Sequence, residues 1–396
     1  MKVLVLGSGL MGPAAAYNAM IDPDVSRVTL CDVNQRQLDV AQTKLKGMQG
    51  GEKLDTVVLD VRDEDSTAKL MTVHDVALGA LPLALIPAEI RAAVAAKTPL
   101  VDLYFPSELD DEEMAALRQQ VAAAGIVVVL GCGIGSPGIT EMSARYLAEK
   151  LDRVDELYIR CGGIPEDPKP PLDYKIVFDG RQMPLEESDV SIVKDGQLKT
   201  RPRYSGAQSV FFSGVGECED WLEDFPVWLL DMDLLRNLKY AAHTTIRWPG
   251  YAAKVTVLKE MGMLSLEPVQ VDGVQVAPKS VLDAVLYPHV KMEEGERDIT
   301  LFRTEVKGEK DGQPREYQIE TVDRYDDVLG FTSMARTTGF TGAIIARMVA
   351  RGDLKATGMF MSEQVVFGPL FDALVSELAA AGVQFTLTTK TVEPLG

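Results

Sequence analysis

The chain has 396 residues, enough for two domains or for one large domain with an insertion, and 46% of them are hydrophobic, as in an ordinary globular protein. Its 59 acidic and 40 basic residues leave a net charge of −19, which argues against nucleic acid or an anionic membrane as a partner. The four cysteines are scattered and there are only three histidines, so neither a disulfide framework nor a metal site is predicted. No secretory leader follows Lys2, and a cytoplasmic protein is expected.

The first 32 residues carry the most informative pattern. An apolar strand, a G-x-G-x-x-G turn, an alanine-rich helix and a second strand ending in an acid follow one another: Lys2–Leu6, Gly7 to Gly12, Met11–Met20 and Arg27–Asp32. This order is the fingerprint of a dinucleotide-binding fold. Each element is weak evidence alone, but all of them occur here in sequence.

Each residue of that fingerprint has a physical role. Gly7 permits a tight turn, Gly9 lets the backbone approach a pyrophosphate, and Gly12 lets the helix pack on the strand. Leu10 and Met11 lie between these glycines and are predicted to contact the cofactor as well. Asp32 lies 20 residues beyond Gly12, where its carboxylate can accept hydrogen bonds from the adenosine ribose.

Strand-like and helix-like segments alternate over residues 1–131, which predicts a doubly wound parallel sheet. The predicted strands are Lys2–Leu6, Arg27–Asp32, Asp55–Leu59, Asp75–Ala80, Leu100–Leu103 and Ile126–Leu130. The predicted helices are Met11–Met20, Gln35–Lys46, Asp65–Met71, Pro87–Ala96 and Leu109–Ala124. A capping box at Ser107 is expected to start the last of these helices.

Residues 132–332 are richer in turns and are predicted to form an inserted mixed α/β domain on a largely antiparallel sheet. After a helix at Ile139–Lys150, the predicted strands are Asp155–Arg160, Lys175–Phe178, Val190–Val193, Ala253–Leu258, Glu267–Val271, Asp298–Val306, Glu316–Glu320 and Asp327–Ser333. Residues 307–314 read as a hairpin tip. Residues 333–396 are predicted to return to the first domain, with helices at Gly339–Arg351, capped by Thr338, and Leu370–Ala381, and a strand at Gln384–Thr388.

Six stretches carry a resemblance to a known family: VLGSGLMG (5–12), GCGIGSPGITEMSA (131–144), CGGIPEDPKPPLDYKIVF (161–178), TTIRWPGYAAK (244–254), MARTTGFTGAIIARMVARG (334–352) and GMFMSEQVVFG (358–368). They are spread over nearly the whole chain, which resembles the saccharopine dehydrogenase superfamily and, within it, the lysine 6-dehydrogenase branch. The resemblance implies an oxidoreductase with an N-terminal Rossmann domain, a middle catalytic and dimerisation domain, and a C-terminal return. It also implies a homodimer or higher homo-oligomer that uses NAD or NADP to oxidise the amine carbon of a small amino acid or amine, or to run the reverse reductive amination.

The chain departs from this family's pattern at four places, and the first three lie around the expected substrate end. Tyr251 stands where relatives have a histidine, and Asp220 to Pro226 replace a turn rich in Gly, Ser and Thr. Leu103 to Phe105 follow Asp102 where relatives have small residues and a histidine, and Met361-Ser362-Glu363 replaces a P-P-E segment. The cofactor half therefore matches the family better than the pocket.

Candidate catalytic residues cluster around these departures. Arg247 is predicted to hold a substrate carboxylate, because a guanidinium pairs with it bidentately, although it could instead pair with a neighbouring acid. Tyr251 could relay a proton if its pKa is lowered, and His243 could replace the missing imidazole or be structural. Tyr174 and Lys175 match a family motif, but they could also belong to a packed strand.

Candidate pocket and cofactor residues lie at strand ends or among aromatics. Tyr104 and Phe105 follow the fifth strand, where open α/β sheets bind ligands. Trp248 is a candidate for lining the substrate pocket. Core packing is the alternative for Trp248 and for the other two tryptophans, Trp221 and Trp228. The further predicted cofactor contacts are Val33, Asp60 and Val61, Ala80, Leu81 and Pro82, and Asp102.

Two questions stay open at this point: whether the cofactor is NAD or NADP, and which of three functions the chain has. Asp32, followed by Val33 and not by an arginine, favours NAD over NADP, although Arg36 is close enough to weaken that preference. The leading function is a dehydrogenase like lysine 6-dehydrogenase. A saccharopine- or carboxyspermidine-type reductase would need extra cations, which residues 200–203 could supply, and loss of the family histidine leaves a non-catalytic NAD sensor as a third reading.

Overall fold

A computed structural model describes residues 1–178 and 183–391. In chain order the strands are β1 (Lys2–Leu6), β2 (Arg27–Asp32), β3 (Leu54–Val58), β4 (Val76–Gly79), β5 (Leu100–Asp102), β6 (Val127–Leu130), β7 (Arg153–Pro165), β8 (Val190–Lys194), β9 (Gln197–Arg201), β10 (Gln208–Phe212), β11 (Gly216–Glu223), β12 (Tyr240–Arg247), β13 (Val269–Val271), β14 (Val274–Val276), β15 (Asp298–Lys310), β16 (Gln313–Arg324), β17 (Gly358–Met361) and β18 (Thr386–Thr391). The helices are α1 (Gly12–Met20), α2 (Gln35–Lys46), α3 (Glu64–Met71), α4 (Ile86–Ala96), α5 (Asp111–Ala124), α6 (Ile139–Ala148), α7 (Tyr251–Glu260), α8 (Pro278–Val290), α9 (Ser333–Arg351), α10 (Ser362–Val365) and α11 (Pro369–Ala380). Short 3-10 turns occur at Gly51–Lys53, Leu83–Leu85 and Val227–Asp231.

The chain divides into two compact units. The first comprises Met1–Tyr146 and Met334–Gln384, and the second comprises Leu147–Ser333 and the residues from Phe385 onward. The C-terminal segment is thus shared, because α9 to α11 belong to the first unit whereas β18 belongs to the second. The domain limits expected from the sequence, at 131/132 and 332/333, stay a prediction.

The first unit is built on a parallel sheet. Its described strands run in the order β17-β6-β5-β4-β1-β2-β3, and every neighbouring pair is parallel. The predicted fold class, an N-terminal Rossmann sheet, is confirmed. The central strands are apolar and almost wholly buried, as expected when helices cover both faces. β17, from the C-terminal segment, was not predicted and extends the sheet beyond β6.

The second unit contains the inserted mixed sheet, and this part of the predicted fold class is also confirmed. Its described strands follow the path β10-β11-β12-β7-β15-β16-β18, with β8 on β12 and β9 on β8. Only the β12–β7 pair is parallel among these described neighbours. α7 and α8 contribute to an apolar cluster with Trp221, Tyr174 and Tyr204.

Two strand predictions in the second unit are wrong. Residues 253–258 lie in helix α7, where Tyr251, Ala252 and Val255 face the core. The β-branched run Val255-Thr256-Val257 suggested a strand, but the tertiary contacts favour the helix. Residues 327–333 form a turn, tied by the hydrogen bond from Gly330 N–H to the carbonyl oxygen of Asp326 (2.7 Å), and then begin α9.

Three further local predictions need correction. Helix α9 starts at Ser333, six residues before the expected start at Gly339. The segment 175–178 has a single bridge, between Ile176 and Lys291, and forms no strand. Helix α5 is capped by Asp110, whose side chain accepts from the N–H groups of Glu112 and Glu113, so Ser107 lies outside the cap.

Candidate active site

The glycine turn after β1 has the shape that a pyrophosphate requires. Gly7 has φ 101°, and a Cβ there would overlap the carbonyl oxygen of Ala80. A Cβ on Gly12 would overlap the carbonyl oxygen of Gly7, whereas a Cβ on Gly9 would meet nothing within 4 Å. The N-terminus of α1 has no side-chain cap at Met11. The turn therefore presents open space and unpaired N–H groups to an anion, and it fits the phosphates of NAD(P).

Asp32 is held in place by the backbone on both sides. Its Oδ2 accepts from Ser8 N–H and its Oδ1 from Asn34 N–H, each at 2.7 Å. Both oxygens keep a further lone pair, so the carboxylate can still accept from ribose hydroxyls. Val33 is 63% exposed and Leu10 48% exposed beside this turn, which leaves apolar surface for the rest of the adenosine.

The other predicted cofactor residues lie in different surroundings. Ala80 donates its N–H to the carbonyl oxygen of Leu6 at 2.8 Å, so β1 and β4 end together, with half-buried Leu81 and exposed Pro82 following. Asp60 is paired with Arg62 at 2.6 Å, which holds the pKa of that carboxyl below its usual range. The side chain of Val61, in contrast, is buried in the core.

The loop after β5 presents aromatic side chains. Tyr104 is 36% exposed, and its ring centroid lies 5.1 Å from that of Phe105. The Asp102 carboxyl is buried, and its Oδ1 accepts from Tyr104 N–H at 2.6 Å. Asp102 therefore holds the backbone at the start of this loop.

Arg247 lies at the end of β12 among three aromatic rings. Its Cζ is 4.6 Å from the ring centroid of Tyr174, 5.8 Å from that of Tyr251 and 6.0 Å from that of Trp221. Trp221 and Tyr251 are stacked at 5.0 Å, with 8° between their planes. Arg247 is 4% exposed, its Nη1 donates to the carbonyl oxygen of Ile246 at 2.8 Å, and its buried Nε has no hydrogen-bond partner.

Glu219 is the acid opposite Arg247 in the β11–β12 register, yet it binds elsewhere. Its two oxygens accept from Gly250 N–H at 3.0 Å and Ala252 N–H at 2.8 Å. A carboxylate at this position stabilises the N-terminus of α7 and thereby positions Tyr251. Within the described residues Arg247 takes part in no salt bridge, so the structural alternative considered for it, pairing with a neighbouring acid, has no support here.

The two candidate proton carriers have shifted pKa values. Burial raises the pKa of Tyr251 in spite of the nearby Arg247 guanidinium, so the phenol stays neutral and the lowered pKa that a relay needs is not found. Burial lowers the pKa of His243 to about 4. Its Nδ1 lies 3.0 Å from the carbonyl oxygen of Asp224, so this nitrogen carries the proton and Nε2 keeps a lone pair.

Lys175 and Trp248 are not part of the Arg247 cluster. Lys175 is buried, and its Nζ pairs with Glu296 at 2.9 Å and donates to the carbonyl oxygen of Lys291 at 3.1 Å. Trp248 donates to the carbonyl oxygen of Pro165 at 2.9 Å and packs with a different apolar group around Ile246. Their roles in a site stay predictions.

Comparison with known proteins identifies the family. Residues 3–129 match the saccharopine dehydrogenase NADP binding domain, and residues 134–383 match the saccharopine dehydrogenase C-terminal domain. The chain belongs to the saccharopine dehydrogenase family. The predicted superfamily, the class of NAD(P)-dependent dehydrogenase and the NAD(P) cofactor are therefore confirmed, whereas the lysine 6-dehydrogenase branch stays a prediction.

Similar members of the saccharopine dehydrogenase family match over almost the whole chain. Carboxynorspermidine synthase of Vibrio cholerae is 26% identical over 95% of each chain. Carboxyaminopropylagmatine dehydrogenase of Synechocystis sp. is 24% identical over 92% of each chain. Apo saccharopine dehydrogenase (L-Glu forming) of Saccharomyces cerevisiae superposes with a TM-score of 0.81 at 20% identity, covering 98% of this chain and 100% of that one, and shares its fold.

Two residues of this family member escaped sequence reasoning. Tyr204 contacts Trp221, with ring centroids 6.1 Å apart, and no local pattern around position 204 indicates this contact. Glu89 is a fully buried acid in α4, and the sequence does contain a signal for it. Helical periodicity places it on the same face as Ile86, Ile90 and Ala93, which are apolar.

None of the helices in the ranges 1–178 and 183–391 combines the length and the apolar character that a membrane span requires. The same ranges contain no group of three or more His, Cys, Asp or Glu side chains that could hold a metal ion.

Proposed function

We propose that this member of the saccharopine dehydrogenase family makes or breaks the C–N bond of a secondary amine that bears one carboxylate. The observation that carries the proposal is Arg247, a guanidinium that is 4% exposed and whose Nε has no partner. A buried cation needs an anion, and a carboxylate matches a guanidinium in a bidentate pair. We infer that the substrate supplies this anion.

The relatives support this substrate class by their names. One is named for carboxynorspermidine and another for carboxyaminopropylagmatine, each a polyamine-like compound with a carboxy group. The net charge of −19 favours a ligand whose amine end is cationic. A carboxylated polyamine-like compound fits both observations, because its carboxylate can pair with Arg247 and its cationic tail suits an acidic protein.

The proposed reaction is a condensation followed by a hydride transfer. A carbonyl compound and an amine condense with loss of water to an imine, and the imine carbon then gains a hydride while its nitrogen gains a proton. NAD(P)H supplies the hydride when bound, and NAD(P)⁺ accepts it in the reverse direction. Arg247 would orient the carboxylate, and the rings of Tyr174, Trp221 and Tyr251 would exclude water and strengthen the ion pair.

A second candidate is oxidation of the amine carbon of an amino acid, as in lysine 6-dehydrogenase.

Both candidate reactions use a substrate with one carboxylate. Arg203 supports this number, because it already pairs with Glu223 and with Glu186, the latter at 2.9 Å. The exposed Arg201 is at the end of β9. The 200–203 segment therefore offers no preformed site for a second carboxylate, which argues against a dicarboxylate product and leaves both single-carboxylate reactions.

The cofactor preference is proposed separately. The matched domain is named for NADP, whereas Asp32 would repel a 2′-phosphate on the adenosine ribose. The backbone bonds that fix Asp32 favour NAD, because they hold the carboxylate at the turn. A homodimer is proposed from the family resemblance.

The proposal is tested by following the absorbance of the reduced nicotinamide with purified protein. The forward panel combines carboxylate-bearing aldehydes with diamines, guanidino amines or amino acids, each with NADH and NADPH. The reverse panel offers free amino acids, lysine included, with NAD⁺ and NADP⁺. Oxidation of the reduced cofactor that requires both an aldehyde and an amine supports the proposal. Turnover of a free amino acid alone supports the second candidate, and cofactor binding without any turnover would contradict both and favour the sensor.

A further inference from the structure

Two buried carboxyl groups of the first unit converge beside Gly79. Glu89 of α4 is 0% exposed and Asp102 at the end of β5 is 1% exposed. A Cβ built on Gly79 would lie 2.5 Å and 2.6 Å from the two carboxyl oxygens of Glu89 and would overlap Oδ2 of Asp102. Only a glycine therefore leaves room for both acids.

Three of the four carboxyl oxygens of this pair have no donor among the described residues. Both oxygens of Glu89 and Oδ2 of Asp102 are buried without a hydrogen-bond partner, and neither acid takes part in a salt bridge in the described ranges. Cys31 of β2 and Cys132 after β6 are the titratable neighbours, and burial raises the pKa of both thiols, so they stay neutral. Beyond Cys132 lies Glu363 of α10, another acid.

We propose that Glu89 and Asp102 share one proton at neutral pH, and that the proton on Glu89 lets ionised Asp102 position the Leu103–Phe105 loop. Two ionised carboxylates in contact would repel strongly, and a proton supplies the donor that the surroundings lack. Burial, the charge of Asp102 and a hydrogen bond to it raise the pKa of Glu89 well above the ordinary value. Burial raises the pKa of Asp102 to about 6.

One hydrogen bond connects the Asp102 carboxylate to the loop, and two backbone hydrogen bonds fix the chain around it. Its Oδ1 accepts from Tyr104 N–H at 2.6 Å, and an ionised carboxylate is a stronger acceptor than a neutral carboxyl group. Its carbonyl oxygen accepts from Cys132 N–H at 2.9 Å, and Leu103 N–H donates to the carbonyl oxygen of Gly79 at 3.2 Å. Loss of the charge on Asp102 would weaken the bond that orients Tyr104. Asp102 is thus a positioning residue, and its effect on substrate rests on the proposed function.

The shared proton is tested by the pH dependence of stability, without any assay of activity. The folded protein holds a proton that the unfolded chain releases above the ordinary glutamate pKa of 4.5, so the contribution of Glu89 to wild-type stability should fall as pH rises above that value. Glu89→Gln keeps a donor toward Asp102 but carries no proton to lose. We expect this variant to become progressively more stable than wild type with rising pH, with about one proton less bound on folding. The exposed Glu108→Gln is the matched control and should follow the wild-type curve.

Parallel curves of stability against pH for wild type and Glu89→Gln over the whole pH range would show that Glu89 is ionised and would overturn the proposal. If Glu89→Gln does not fold, the wild-type protein decides. Its infrared spectrum at neutral pH should show the C=O stretch of a buried, un-ionised carboxylic acid, and absence of that band would also overturn the proposal.

The positioning role is tested by the pH profile of turnover. We expect the wild-type KM for the substrate to rise as pH falls through about 6, while kcat changes little. Asp102→Asn, which does not titrate, should raise KM and remove this acid limb. An unchanged acid limb in Asp102→Asn would overturn the positioning role. Lack of turnover on any substrate would contradict the proposed function instead, and the stability experiment would still decide the shared proton.

Discussion

His243 and Arg247 lie on the same face of β12, where burial has different effects on their charges. Arginine keeps its charge when buried, so Arg247 needs an anion. Histidine loses its proton instead, and the pKa of His243 falls to about 4. The two side chains therefore offer a fixed cation and a neutral imidazole.

The neutral imidazole has a consequence for stability. Because the folded-state pKa of His243 lies below the ordinary 6.5, the unfolded chain binds more protons between these values. Stability from this group should be complete above pH 6.5 and should be lost as pH falls toward about 4, by roughly 3 kcal/mol in total. The free energy of unfolding, measured with urea at several pH values across this range, should change less steeply with pH in His243→Gln than in wild type. The exposed His289→Gln is the control, and equal slopes in both variants would contradict the shift.

Asp32 sets the expected choice of cofactor. Asp32→Ala removes the acceptor for ribose hydroxyls and for the N–H groups of Ser8 and Asn34, so NAD should bind roughly 10-fold more weakly. NADP should lose less, because the repulsion of its phosphate disappears as well. Calorimetric titration with both cofactors measures the ratio, with the exposed Asp39→Ala as control. An unchanged ratio would contradict the proposed role of Asp32.

The N-terminus of helix α5 is capped by Asp110 and not by Ser107. Asp110 accepts from Glu112 N–H at 3.0 Å and Glu113 N–H at 2.9 Å, and Glu113 accepts from Asp110 N–H at 3.2 Å. Asp110→Ala should therefore reduce the free energy of unfolding by about 1 kcal/mol. Ser107→Ala, at the cap expected from the sequence, should change it by less than about 0.5 kcal/mol. Similar losses for both variants in thermal unfolding would favour the earlier start.

The sequence predicted elements well where local pattern and burial agree. β1 and β2 begin and end where expected, because apolar parallel strands bounded by turn residues are unambiguous. α7 was missed, because its β-branched residues favour a strand while Glu219, about 30 residues earlier, binds its N-terminus. β17 was missed because it becomes a strand only by pairing with β6, far away in the chain.

The same distinction applies to the site. Gly7, Gly12 and Asp32 act within one continuous segment, so their spacing alone indicates a dinucleotide turn. The surroundings of Arg247 come from Tyr174 and from Trp221 of β11, and such contacts between distant segments leave no periodic signal. The pairing of Glu89 with Asp102 has the same origin, although the apolar face of α4 shows that Glu89 is buried.

The chain crosses between its two units three times. Residues Leu147–Ser333 form most of the second unit, Met334–Gln384 return to the first, and β18 pairs with β16 of the second unit from Arg315↔Thr391 to Glu320↔Thr386. Each unit therefore depends on segments that are distant in sequence.

This arrangement predicts a selective effect of truncation. A stop after Gln384 removes β18 and should destabilise the second unit by roughly 1 to 4 kcal/mol through lost cross-strand pairs. Cofactor binding in the first unit should be unchanged. Calorimetric unfolding with and without cofactor separates the two effects, and a stop after Thr391 is the control. A loss of cofactor affinity in the Gln384 truncation would contradict the assignment of β18 to the second unit.

Arg247 is proposed to bind the carboxylate of the substrate, and the proposed function depends on this contact. The most direct measurement is a cycle of kcat/KM values for wild type and Arg247→Gln, each with a carboxylated substrate and with its decarboxylated analogue. Arg297→Gln, which removes an exposed ion pair with Asp327, is the matched control.

We expect Arg247→Gln to lower kcat/KM for the carboxylated substrate roughly 100-fold, because a charge-assisted pair is lost. The decarboxylated analogue should already be a poor substrate for wild type and should lose almost nothing further in the variant. Equal losses for both substrates would show that Arg247 acts through the fold and does not bind the carboxylate.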